Sequence, residues 1–198
     1  NETPITLLKD ETISGRWDCR NYGSTACYGL TKVPYTFNGN GHTISNLTIN
    51  GQAMFTRFAG SGDVTVKNIT FDNAKVESTA LNTSILTVQS YQNILLDNVD
   101  VMNSSISGSY KVAPLIATVY NEKESTITAT LRNCDTGMVA WVNNGDNDAI
   151  AFENCSVTNV ELSADSKSYN SFAAVYTTGS ASLYNEVEGV TVTNVTIK

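Results

Sequence analysis

The sequence predicts an all-β protein: a single-stranded right-handed parallel β-helix of about six turns, with asparagine corner ladders and an N-terminal cap. Three observations predict it. An asparagine-centred pattern recurs along the chain, its apolar positions alternate with period two, and that alternation slips at each asparagine.

The pattern is clearest in "TVKNITFDNAKV" (65–76), "LLDNVDVMNSSI" (95–106) and "AFENCSVTNVEL" (151–162). Counted from the first Asn, apolar residues stand two before, one after and three after. A second Asn follows at plus five, with apolar residues at plus six and plus eight. Asn68 and Asn73, Asn98 and Asn103, and Asn154 and Asn159 are these pairs, with Ser104 in the apolar plus-six slot of the middle copy. Near the end Gly189 replaces the first Asn and Asn194 is the second, while Asn46 and Asn133 head partial copies. So regular a recurrence marks a repeat protein.

Period-two alternation marks strands with one buried face. Apolar residues three apart across the Asn cannot share one face of a straight strand, so the chain bends there. Asn and Gly enter left-handed backbone conformations at least cost, which makes these positions corners. Anchors at 46, 68, 98, 133, 154 and 189 give steps of 22, 30, 35, 21 and 35. The short steps suit one turn of a parallel β-helix, and the longer ones carry loops. Equivalent residues then stack ~4.8 Å apart, and corner asparagines hydrogen-bond along their columns. A leucine-rich repeat would be dominated by Leu, and a sandwich would lack an Asn at fixed register. Neither description fits.

Residues 1–36 have no copy of the pattern and are expected to cap the first turn, with Trp17 over its apolar end. Cys19 and Cys27 flank "RNYGSTA" there, either as a disulfide closing a small loop or as two thiols. Residues 37–198 form the β-helix of the same domain. Before each anchor another segment recurs, "MFTRF" (54–58), "ILTVQ" (85–89), "IATVY" (116–120), "MVAWV" (138–142) and "FAAVY" (172–176), and it reads as a further wall. Ser-, Thr-, Asn- and Gly-rich stretches around it read as surface loops. Cys134 and Cys155 share one apolar slot and read as small buried hydrophobes rather than a bonded pair. The last copy, "EGVTVTNVTIK", runs to Lys198, and its edge is expected to be covered by a loop folded back over it, leaving a monomer, in preference to a second copy or a downstream domain.

Composition narrows the function. At 198 residues, with 16% charged and a net charge of −7, the chain suits one stacked-sheet domain and disfavours nucleic acid and anionic membranes as partners. No apolar run approaches the length needed to span a bilayer. The chain does not begin with Met, so a mature or trimmed fragment is expected. Asn1, Asn46, Asn68, Asn82, Asn103, Asn154 and Asn194 head Asn-x-Ser/Thr sequons, and five of the seven sit at predicted corners, where a glycan would block stacking. That points to a bacterial origin.

"FNGNGHTISNLTI" (37–49), followed by "VTVKNITFDNAKV", resembles the opening turns of right-handed parallel β-helix domains in surface proteins of gut bacteria, the putative-adhesin and GLUG-repeat groups. The resemblance spans about 37–198. It implies export to the cell surface, as a lipoprotein or part of a larger surface protein. "AMFTRF" stands where a GLUG repeat has a Gly-Leu-Phe-Gly type segment.

Pectate lyases and polygalacturonases share this architecture, so chemistry has to be weighed. The slot before each anchor reads Ser45, Lys67, Asp97, Arg132, Glu153 and Glu188, an alternating ladder suited to ion pairs rather than to crowded catalytic acids. Asp100 and Asp135 share the slot two after the Asn on adjacent turns, and Asp146 and Asp148 lie in "NNGDNDA". These are the only candidate Ca²⁺ ligands, solvated carboxylates being the commoner outcome. No other cofactor is expected, and His42 reads as structural. Tyr120 and Tyr176 hold the same place in the recurring segment, and Tyr110, Tyr169 and Tyr184 lie in loops. Flat rings with polar tips suit sugars or protein interfaces. The expectation is a non-catalytic extracellular binding or adhesion module whose ligand is a glycan or a host or bacterial surface protein. The alternative is a polysaccharide-active enzyme, a lyase or glycoside hydrolase.

Overall fold

The computed structural model describes residues 5–12, 16–18, 35–58, 62–80, 82–108, 111–120, 128–135, 141–143, 149–153, 156–158, 160–164, 176–178, 185–188, 191–193 and 196–197. Among these residues the protein is all-β, with no helix, and its strands pair in parallel.

The described chain rotates through three larger sheets, with two further two-stranded parallel sheets beside them. A first partial round holds β1 (Ile5–Thr6), β2 (Glu11–Thr12) and β3 (Arg16–Asp18). The next runs through β4 (Tyr35–Ser45), β5 (Thr48–Asn50) and β6 (Phe55–Phe58). Then come β7 (Val64–Asp72), β8 (Lys75–Glu77), β9 (Asn82–Thr83) and β10 (Thr87–Ser90). The following round has β11 (Ile94–Met102), β12 (Ser104–Gly108), β13 (Lys111–Val112) and β14 (Ile116–Tyr120). A shorter one has β15 (Thr128–Arg132) and β16 (Trp141–Asn143). The last strands are β17 (Ala149–Glu153), β18 (Ser156–Thr158), β19 (Val160–Ala164), β20 (Tyr176–Thr178), β21 (Asn185–Glu188), β22 (Thr191–Thr193) and β23 (Thr196–Ile197).

Sheet 1 runs β1-β4-β7-β11-β15-β17-β21, with β2 also on β4; sheet 2 runs β3-β5-β8-β12-β19-β23; sheet 3 runs β6-β10-β14-β16-β20. The boundary expected at 36 falls within β4. Below it Ile5 pairs with Phe37 and Trp17 with Ile49, so the expected cap contributes strands to sheets 1 and 2.

The bends fall where the alternation slips. Asn46, Asn68, Asn73, Asn98, Asn103 and Asn133 all have φ between 49° and 59°, the left-handed region. That twist lets Val66 and Ile69, three apart, both point inward at 1% and 2% exposure. Val66, Leu96 and Leu131 stack on successive strands, as do Ile69 with Val99 and Phe71 with Val101. Ser104 fits the apolar plus-six slot because its Oγ donates to Met102 O at 2.6 Å and accepts the Ala74 N–H at 2.9 Å.

One correction and one further finding concern register. Asn46 belongs to the second corner column, not the first: Ser45 pairs with Asp72, and Asn73 Nδ2 donates to Asn46 Oδ1 at 2.7 Å. Asn38 lies beneath Lys67, in the slot assigned to Ser45, and its Oδ1 accepts from Asn68 Nδ2 at 3.4 Å across the bulge that faces Asn68. The 22-residue step from Asn46 to Asn68 therefore joins two different corners and is not one round. The further finding concerns sheet 2. β12 pairs directly with β19, Ser104 opposite Val160, so among the described residues the short round from Asn133 contributes no strand to that sheet.

The first corner column continues as Asn98 Nδ2 to Asn68 Oδ1 at 3.2 Å, but Asn133 Nδ2 turns to Asp97 Oδ1 at 3.4 Å. In the second column Asn103 bonds Asp72 rather than Asn73. Asn154, Asn159 and Asn194 lie outside the described residues, although Arg132–Glu153 and Glu153–Glu188 pairing brings the first column's register to the residue before 154 and before 189.

Because Asn98 is exposed, its backbone dihedral outweighs its hydrogen bond. Asn98→Leu is expected to cost about 1–2 kcal/mol, the strain of a bulky residue in the left-handed region. Asn98→Gly should cost less than Asn98→Ala, although glycine gains more unfolded-state entropy. Urea midpoints for the three variants check this, and alanine milder than glycine would show that the dihedral is not the cause.

Candidate binding surface

The described residues of the recurring segment contribute strands to sheet 3, as expected of a wall, but their register differs from the alignment by residue type. Phe55, Thr87 and Ile116 pair, as do Arg57, Gln89 and Thr118. Val119 pairs with Val142, and Trp141 with Tyr176. Tyr120 pairs with Asn143, which pairs with Thr178. Tyr120 and Tyr176 therefore do not hold the same place; they lie two register positions apart on one sheet. Tyr110, Tyr169 and Tyr184 lie outside the described residues.

What the register assembles is broader than the tyrosines alone. Arg57 and Gln89 are half-buried neighbours on adjacent strands. The Arg57 guanidinium lies 4.9 Å from the Tyr91 ring centroid, and Tyr91 OH donates to Gln89 Oε1 at 3.2 Å. Tyr91 follows Ser90 as Tyr120 follows its partner Val119, and Trp141 and Tyr176 stand in the column of Arg57 and Gln89. Arg57, Gln89, Tyr91 and Trp141 were not legible as a group. Sheet 3 has no corner asparagine to fix its frame, and the connections back to sheet 1 differ in length.

Sheet 1 carries the charge ladder. Lys67, Asp97, Arg132 and Glu153 occupy successive rungs. Arg132 grips Asp97 through Nη2–Oδ2 at 2.6 Å and Nε–Oδ1 at 3.2 Å. That hydrogen bonding holds the Asp97 carboxyl below its ordinary value; burial opposes it, and the positive charge of Arg132 adds a lesser lowering. The pair is partly exposed and stabilises by about 0.2–1 kcal/mol.

Asp100 and Asp135 are adjacent as expected. The Asp135 N–H donates to Asp100 Oδ1 at 2.8 Å, while Asp135 Oδ1 is buried without a hydrogen-bond partner. Burial raises the Asp100 carboxyl above the ordinary 3.8; the Asp135 N–H pulls it down, and the Asp135 carboxylate adds to the rise. Among the described residues no three His, Cys, Asp or Glu side chains gather as a cation cage needs. Asp146 and Asp148 lie outside them.

The sign of the pH effect follows from that direction. A carboxyl whose folded pKa lies above its unfolded value favours folding while protonated, and this contribution is lost as pH rises through the folded pKa. Asp97 works oppositely: its contribution is present above 3.8 and lost as pH falls through its lowered folded value. Asp100→Asn keeps the acceptor for the Asp135 N–H and removes the charge. The variant should gain stability over wild type as pH rises from about 4 to 7, read as the difference between their urea midpoints. A gap that does not change with pH would contradict this.

His42 has a carboxylate after all. Asp10, 32 positions earlier, accepts from its Nδ1 at 3.1 Å and from the Thr43 N–H at 2.9 Å. Those two bonds, the backbone one first, lower the Asp10 carboxyl. His42 thus fastens the N-terminal strands to β4, a structural role. The Cys134 thiol is buried, with Sγ 3.3 Å from Arg132 O and 3.6 Å from Leu96 O. Cys19, Cys27 and Cys155 lie outside the described residues.

The chain matches no protein-family model, no curated protein and no solved structure.

Proposed function

We propose that the chain is a right-handed parallel β-helix serving as a non-catalytic binding or adhesion module on the outside of a bacterial cell, with a glycan or a surface protein as its ligand. The rotation through three parallel sheets, with left-handed asparagines at the bends, supports the fold. One observation carries the binding role: sheet 3 brings Arg57, Gln89 and Tyr91 together, half-buried, and its backbone register places Tyr120, Trp141 and Tyr176 on the strands that follow. Rings beside amide and guanidinium groups offer both stacking and hydrogen bonding. The resemblance to bacterial surface proteins supports export, and no helix among the described residues is long and apolar enough to cross a membrane.

The Asp100–Asp135 pair, with one carboxyl raised, favours the second reading, a polysaccharide-cleaving enzyme. One sample decides between them. A glycan array together with a lyase assay for unsaturated product should give binding without turnover. Turnover abolished by Asp135→Ala would replace the first reading by the second.

A further inference from the structure

We propose that the half-exposed face of sheet 3 binds a linear acidic glycan, a β-1,4-linked uronic-acid chain lying from strand to strand, with Arg57 taking a carboxylate and the aromatic residues stacking sugar rings. This rests on the binding-module reading and names its ligand.

Charge distribution is the first argument. The chain carries a net charge of −7, and among the described strands Asp97, Asp100 and Glu153 lie in sheet 1 and Glu77 and Glu161 in sheet 2. The strands of sheet 3 contain no Asp or Glu, and their one charged residue is Arg57. A polyanion is repelled by the first two faces and least by this one.

The state of Arg57 is the second. Its Nε is buried without a hydrogen-bond partner, and its guanidinium stacks over Tyr91. Among the described residues no carboxylate pairs with it. A cation held by ring stacking keeps its donor fork for an incoming carboxylate, which the planar guanidinium suits better than a lysine would.

Spacing is the third. Adjacent strands of the sheet lie ~4.8 Å apart, close to the advance of one sugar in an extended β-1,4 chain. Arg57, Gln89, Thr118, Trp141 and Tyr176 occupy five consecutive strands in one register column, and Tyr120 lies two positions across. In register, that column has a cation and an amide at one end and two aromatic residues on adjacent strands at the other.

Calorimetric titration with cellohexaose and with the β-1,4-glucuronic acid hexamer, which share a backbone and differ by a carboxylate on each sugar, tests this. Wild type should bind the uronate hexamer more tightly than the neutral one, and salt should erode the difference. Arg57→Gln should weaken the uronate hexamer about tenfold, the worth of one charge-assisted hydrogen bond, and the neutral one less, so that the acid preference narrows. Trp141→Ala should weaken both, and Lys67→Gln on sheet 1 neither, with circular dichroism confirming that each variant folds. An acid preference unchanged in Arg57→Gln overturns the inference, as does its absence from wild type. If neither hexamer binds but another glycan or a surface protein does, the inference fails and the binding module stands. If nothing binds, both fall.

Discussion

Replacing Gly39 by alanine is expected to destabilise the protein by about 3 kcal/mol, the upper part of the range for overpacking a tight interior. Gly39 is buried where β4 departs from its register with β7: Asn38 pairs with Lys67 and His42 with Ile69, so residues 39–41 face Asn68 alone. A Cβ at 39 would collide with Asn68 O and Ile69 Cβ and lie 2.7 Å from Ile69 Cα. None of these atoms can swing aside, because two belong to the β7 backbone and the third is the first atom of a buried side chain. The bulge itself would have to move, pulling Asn38 Oδ1 away from Asn68 Nδ2. Gly41 is the control. It has φ of +81° but open space around a new Cβ, so Gly41→Ala should cost only about 1 kcal/mol of dihedral strain. Equal urea midpoints for the two variants would contradict the steric argument.

Gly39 also shows what the sequence could not disclose. The corners were legible because left-handed backbone selects Asn and Gly, and a slip in period-two alternation shows where the bend falls. Which corner was not always legible. Asn46 has Ile44, Leu47 and Ile49 at minus two, plus one and plus three, and Asn73 has Phe71, Ala74 and Val76 at the same offsets. Asn68 has the same surroundings, so a lone copy fits either column. Only pairing decides, and the first-column position of that round is a glycine-rich bulge with no apolar frame. Sheet 3 was legible as a wall but not in register, for a slip of one or two positions between variable loops leaves its residue types equally acceptable. Aligning Tyr176 with Tyr120 hid Trp141, the residue that pairs with Tyr176. The Asp10–His42 contact joins strands of successive rounds, and no local spacing encodes it. Of the candidate surface, the sequence therefore showed individual tyrosines, while the column containing Arg57 and Gln89 depended on the fold.

Phe71→Ala is expected to cost about 3–5 kcal/mol, the range for deleting a buried aromatic ring. Phe71 is fully buried, paired with Ile44 on one side and Val101 on the other. The void should not collapse easily, since main-chain ladders hold both neighbouring strands at fixed spacing. Phe71→Leu, leaving a smaller void, should cost less. Where the loss is felt matters more than its size. In a stacked repeat each layer touches only the layers beside it, so stability is a sum of layer and neighbour contributions. Amide exchange in the variant should therefore quicken first in β4, β7 and β11, while β17 and β21, two and three strands beyond β11 in sheet 1, stay closer to wild type. A single globular core would instead transmit the defect to every strand through one cooperative transition. Uniform loss of protection from β4 to β21 would contradict layer-by-layer stacking and with it the β-helix, whatever the measured cost.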